Sequence, residues 1–146
     1  MENNMFCFQC EQTAGCTGCT GKAGVCGKDA NVARLQDELT GALIGLARGI
    51  DGAPTKEEKK VIVEGLFTTI TNVNFNEKTV AEMTDKIHAL SKGDDYDMKL
   101  LWNANEDIRS LKSLILFGIR GVAAYAYHAM VLGYNSDEVD AFFVKA

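Results

Sequence analysis

The chain has 146 residues, 47% of them hydrophobic and 24% charged, with 20 acidic against 15 basic residues and a formal net charge of -5. Such a length and composition suit one globular domain with a core of its own, and the absence of a Lys/Arg stripe argues against nucleic acid as a partner. The longest apolar stretch, Leu114 to Ala126, is broken by Gly118, Arg120 and Gly121 and falls short of the run of about 20 residues a membrane span needs. Met1-Glu2-Asn3-Asn4 lacks the basic start of an export signal, so the expected setting is cytoplasmic, with no membrane partner.

In chain order, residues 1–28 read as an irregular cysteine- and glycine-rich loop, and residues 29–146 as a helical bundle belonging to the same single domain. Asp29 is placed to cap a first helix in which Val32, Leu35, Leu39, Leu43 and Leu46 trace one face up to Gly49. Thr55 with Glu58 makes a capping box for a second helix carrying Val61, Ile62, Leu66 and Ile70. Asn76 caps a third, with Val80, Met83, Ile87 and Leu90, which Gly93 closes.

Asp94-Asp95-Tyr96-Asp97 reads as an exposed loop, since the Gly and Glu positions of a calcium loop do not follow it. Asn105, Glu106 and Asp107 open a long helix with Ile108, Leu111, Ile115, Ile119, Val122 and Met130, which Gly133 ends. Ser136 opens a last helix whose Val139, Phe142 and Phe143 form an apolar stripe. Either that stripe packs back on the domain or the polypeptide continues beyond Ala146, and a terminus without Gly, Pro or polar tail favours continuation. With one proline, Pro54, and no alternating strand pattern, the expected fold class is all-α.

The chemistry is concentrated at the start. All five cysteines, Cys7, Cys10, Cys16, Cys19 and Cys26, lie in the first 26 residues. An odd number clustered in this way argues for metal rather than a disulfide framework. Gly15, Gly18, Gly21, Gly24 and Gly27 give this segment backbone freedom to wrap a cluster and turn N–H groups towards its sulfides. The four nearest cysteines superficially make paired CxxC motifs, yet only five residues separate Cys10 from Cys16, whereas a zinc ribbon places roughly 15 to 20 between its pairs. The set Cys7, Cys10, Cys19 and Cys26 leaves intervals of eight and six residues, and Cys16 is then a spare. Thioredoxin-type dithiol chemistry at Cys7 and Cys10 lacks the βαβ pattern it requires.

His88, near a helix end, reads as a solvated residue or dipole partner, and His128 as a packed or interfacial one. Trp102, Phe67, Phe75 and Phe117 read as core or interdomain packing.

Met5-Phe6-Cys7-Phe8-Gln9-Cys10-Glu11-Gln12-Thr13-Ala14, Gly18-Cys19-Thr20 and Gly24-Val25-Cys26-Gly27-Lys28 resemble the opening of the hybrid cluster proteins, or hydroxylamine reductases. Leu35-Gln36-Asp37, the run Gly65 to Phe75, Asn105 to Leu111 and Gly121 to Ala126 are similar to the same family's N-terminal helical domain, in order, so that the resemblance covers essentially the whole chain. It implies that Cys7, Cys10, Cys19 and Cys26 ligate the proximal iron-sulfur cluster, with Cys16 as a substitute ligand. The close spacing favours [4Fe-4S] over the [2Fe-2S] of some relatives. The hybrid cluster itself, where hydroxylamine becomes ammonia and nitric oxide chemistry is done, is held in that family by later domains. The implied role is therefore electron transfer, with the remaining domains and an electron-donating redox partner as partners and no catalytic residue in this chain. A free-standing cluster carrier or sensor and a zinc-stabilised helical module are the alternatives.

Overall fold

The computed structural model describes residues 5–7, 9–10 and 18–146. Among these the chain is all-α, with six helices: α1 (Ala30–Gly49), α2 (Lys56–Thr68), α3 (Glu77–His88), α4 (Met98–Trp102), α5 (Glu106–Val131) and α6 (Asp137–Lys145). The starts lie where short polar side chains reach the unpaired N–H groups of a first turn. Asp29 accepts from Val32 N, Asn76 from Thr79 N, Asn105 from Asp107 and Ile108 N, and Ser136 from Val139 N. Thr55 and Glu58 form the reciprocal capping box. α2 and α3 stop earlier than their apolar spacing suggests, at Thr68 and His88, so Ile70 and Leu90 fall in the turns that follow. α4, capped by Asp97, is too short for periodicity to reveal.

One apolar core unites the helices. Leu39, Ala42, Leu43 and Leu46 of α1 meet Val61, Ile62, Val63 and Leu66 of α2 and Val80, Met83 and Ile87 of α3, closed by Ala123 of α5 and Phe143 of α6. Fully burying one such Leu or Ile contributes about 1.5–3 kcal/mol, and this is the main force holding the bundle. Along α1, Gly41, Gly45 and Gly49 form a flat strip on which the 92–96 backbone lies. A Cβ on Gly45 would sit 2.8 Å from Asp94 O, one on Gly49 2.6 Å from Gly93 N, and Tyr96 N donates to Gly41 O at 3.0 Å.

The α6 stripe packs back on the domain: Phe143 is 5% exposed, and Val139 and Val144 lie against the core. Lys59 of α2 also pairs with Asp137 and Asp140 at the start of α6. Only Phe142 of the stripe faces out. The unpartnered apolar surface lies instead on α5, where Leu111, Leu114, Ile115, Val122, Tyr125 and Leu132 just beyond it share a face without a charged residue. By length and composition α5 also suits a bilayer span, which the interrupted stretch Leu114 to Ala126 does not reveal. Its other side, however, packs on α2 and commits Arg120 to polar partners inside the domain.

Candidate metal centre

The first cysteine is held by backbone pairing. Cys7 N donates to Cys19 O at 3.0 Å and Cys19 N to Cys7 O at 2.6 Å, so residues 5–7 and 19–21 run antiparallel, with Met5 N to Gly21 O at 3.3 Å continuing the pair. Cys26 sits in a tight turn in which Gly27 N donates to Gly24 O and Gly24 N to Lys28 O. Gly27 adopts φ +85°, a conformation that suits glycine. An Ala23–Asp29 bridge then passes the chain directly to the α1 cap.

Cys7, Cys10, Cys19 and Cys26 are all free thiols; the first three are half-buried and Cys26 is exposed. Among the described residues no three Cys, His, Asp or Glu side chains converge on one point as the ligands of a single ion do. The backbone thus brings Cys7 and Cys19 side by side, while Cys26 sits in the 24–28 turn. Cys16 lies outside the described residues.

Beneath the loop runs a polar network that periodicity alone does not disclose. Lys28 is 1% exposed, and its ammonium donates to Gln36 Oε1, to Gln9 Oε1 at 3.0 Å and to Cys7 Sγ at 3.8 Å. Gln36, itself 0% exposed, donates through Nε2 to Asn74 O at 2.9 Å, and Thr71 Oγ1 donates to Gln9 O at 3.4 Å. The α2–α3 connection therefore grips the loop directly and its buried lysine through Gln36. The network continues to α5 through Thr40, which donates to Gln36 O and accepts from Arg120, whose Nε also donates to Thr69 Oγ1 at 2.9 Å. Among the described residues no buried polar side-chain atom lacks a partner.

The electrostatics follow from that burial. Desolvation pushes the Cys7 thiol up, while a backbone hydrogen bond from Gln9 and the Lys28 charge pull it down. Burial raises the Asp37 carboxyl from 3.8 to about 7, against the attraction of Arg120 and Lys28. Burial likewise lowers Arg120, with Asp37 and Cys7 opposing it. Asp37 and Arg120 border a cleft that also contains Gln9, Cys10, Trp102 and Ser113, beside the loop.

The sequence carried a weak signal for this network: Gln36 and Thr40 lie one turn apart among the apolar positions of α1, and Arg120 interrupts the apolar α5. His88 ends α3 and lies 2.9 Å from Asp95 through Nε2, while His128 packs edge-on against Phe67 and Tyr127. Neither lies in the network. Trp102 packs edge-on against Phe6, and Phe67 stacks on Tyr127, whereas Phe75 and Phe117 are exposed rather than in the domain core.

Residues 5–146 match the Prismane/CO dehydrogenase family. The chain is 38% identical to a hydroxylamine reductase of Porphyromonas gingivalis, covering 100% of this chain and 33% of the relative. It is 37% identical to a hydroxylamine reductase of Clostridium perfringens, with 97% and 33% covered, and 38% identical to one of Methanocaldococcus jannaschii, with 97% and 32% covered. The chain thus spans about a third of the length of the curated relatives it matches. The first alignment runs over 182 residues, more than the chain possesses, so the relative has insertions within the matched region.

Proposed function

The chain belongs to the Prismane/CO dehydrogenase family, and from that premise we propose that it is the electron-transfer domain of a hybrid cluster protein, holding an iron-sulfur cluster through Cys7, Cys10, Cys19 and Cys26. The observation that carries this reading is a set of four free thiols on one short loop above a buried ammonium. Thiolates are the ligands iron-sulfur clusters require, and a buried cation beside one of them suits an anionic group. A [4Fe-4S] cluster is the proposed type. When bound, it would supply one-electron storage; the protein supplies the thiolates, the wrapped backbone and the fixed charge that set its position and potential.

Residues 1–28 and 29–146 act as one unit in this proposal, supported by the bonds from Lys28 to Gln36 and from Thr71 to Gln9. The charge-free face of α5 is the surface offered to the remaining domains of a full-length hybrid cluster protein, consistent with relatives three times as long. An external redox partner donates the electron. The parent reaction, hydroxylamine to ammonia, belongs to those other domains.

The test is a viologen assay on the anaerobically reconstituted chain. Reduced viologen should be oxidised once, by about one electron per cluster, with no further oxidation when hydroxylamine is added. Continuous hydroxylamine-dependent turnover would show a complete active site and refute the relay reading, while no electron uptake at all would refute the cluster.

A further inference from the structure

Lys28 is the most deeply buried charge in the described structure, and its surroundings are unusual for a lysine. Two of its three acceptors, Gln9 Oε1 and Gln36 Oε1, are neutral; the third is Cys7 Sγ at 3.8 Å. Among the described residues none of the ion pairs within 4.0 Å involves Lys28. Asp37 feels its charge through space but is not among its bonded partners. A buried ammonium without a paired anion costs several kcal/mol, so a lysine held in this way by neutral amides requires negative charge from elsewhere. Among the described residues, the only ionisable acceptor it touches is Cys7, a cysteine of the candidate centre.

We propose that Lys28 is the built-in counter-ion of the cluster: a positioning residue that fixes Cys7 and whose ammonium makes the added electron more favourable. The inference rests on the cluster reading given above. Reduction adds one electron and no proton to an already anionic group, and a positive charge buried close to one ligand stabilises the more negative state more than the less negative one. Gln9 and Gln36 aim the ammonium at Cys7 without neutralising it, as a carboxylate would.

The test is an EPR-monitored redox titration with dithionite on the anaerobically reconstituted chain, comparing wild type with Lys28→Met, Lys28→Arg and Gln36→Glu. Lys28→Met should disfavour reduction at least tenfold, a midpoint about 59 mV lower for a one-electron couple. Lys28→Arg, which keeps the charge, should remain closer to wild type than to Lys28→Met. Gln36→Glu keeps the shape but sets a carboxylate against the ammonium, so it should shift the midpoint in the same direction as Lys28→Met, and it decides the matter if Lys28→Met does not fold by circular dichroism. Midpoints of Lys28→Met or Gln36→Glu equal to that of wild type would overturn the counter-ion role. Failure of the wild type itself to acquire a cluster would instead refute the cluster reading on which the inference stands.

Discussion

Gln36 accepts from the Lys28 ammonium inside the helical body while its own amide nitrogen donates to Asn74 O at 2.9 Å, so one side chain of α1 ties the cysteine loop to the α2–α3 connection. Gln36→Leu preserves volume but leaves a buried ammonium and a carbonyl each short of a partner. The expected loss is about 1–3 kcal/mol of stability, read as a lower urea midpoint with an unchanged denaturant slope.

Asp37 gives the domain a pH dependence with a defined sign. Its folded-state value, raised by burial to about 7 from an ordinary 3.8, means that the folded chain binds the proton more tightly than the unfolded chain. Its contribution is therefore fully present below about pH 4, declines as pH rises, and is lost once pH passes through about 7. Between pH 5 and pH 8 the wild type should lose roughly 2–3 kcal/mol more stability than Asp37→Asn, measured by urea denaturation at both values. Parallel pH profiles for the two proteins would contradict the assignment.

The strip on α1 tolerates no added methyl. Gly45→Ala would force the 93–96 segment off the helix, because the new Cβ would lie 2.8 Å from Asp94 O. The expected cost is about 1–3 kcal/mol, visible as a lower melting temperature. Gly118→Ala on α5, where a Cβ would meet nothing within 4 Å, should be neutral or slightly stabilising in the same measurement.

The open face of α5 separates binding from folding. Leu111 and Leu132 are largely exposed, so changing both to Gln should leave stability within about 0.5 kcal/mol. The same double variant should bind less of an apolar-surface dye and show less self-association on size-exclusion chromatography. A large stability loss would mean that this face is buried within the domain.

Single alanine substitutions distinguish ligands from the spare thiol. Cys7→Ala, Cys10→Ala, Cys19→Ala and Cys26→Ala should each lose most of the bound iron, whereas Cys16→Ala should retain it, as measured by iron content after anaerobic reconstitution.

The helix starts were legible because capping is local: Asp29, Thr55, Asn76, Asn105 and Ser136 act on N–H groups two or three residues away, and each caps a helix as expected. The all-α class followed from the same short-range pattern. Long-range facts were not legible. Whether Phe143 turns inward depends on α6 docking on the core beside α1, and a free apolar end and a docked one have the same sequence. The burial of Lys28 likewise depends on the loop folding over α1, since a lysine after a glycine turn ordinarily reads as solvated. The loop at Asp94 to Asp97 was legible, but α4 after it was not, because five residues are too few for an apolar period to repeat. The cysteines stood out in the sequence by their spacing, whereas the joining of Gln36 on α1 to Arg120 on α5 through Thr40 emerges only when the two helices are brought together.

The most direct measurement is the iron and acid-labile sulfide content of the chain purified and reconstituted without oxygen, with its absorption spectrum before and after reduction. The cluster reading requires about four iron and four sulfide per chain and a broad visible band that bleaches on reduction. Stoichiometric zinc in a colourless protein that takes up neither iron nor sulfide would contradict it and leave a zinc-stabilised helical module.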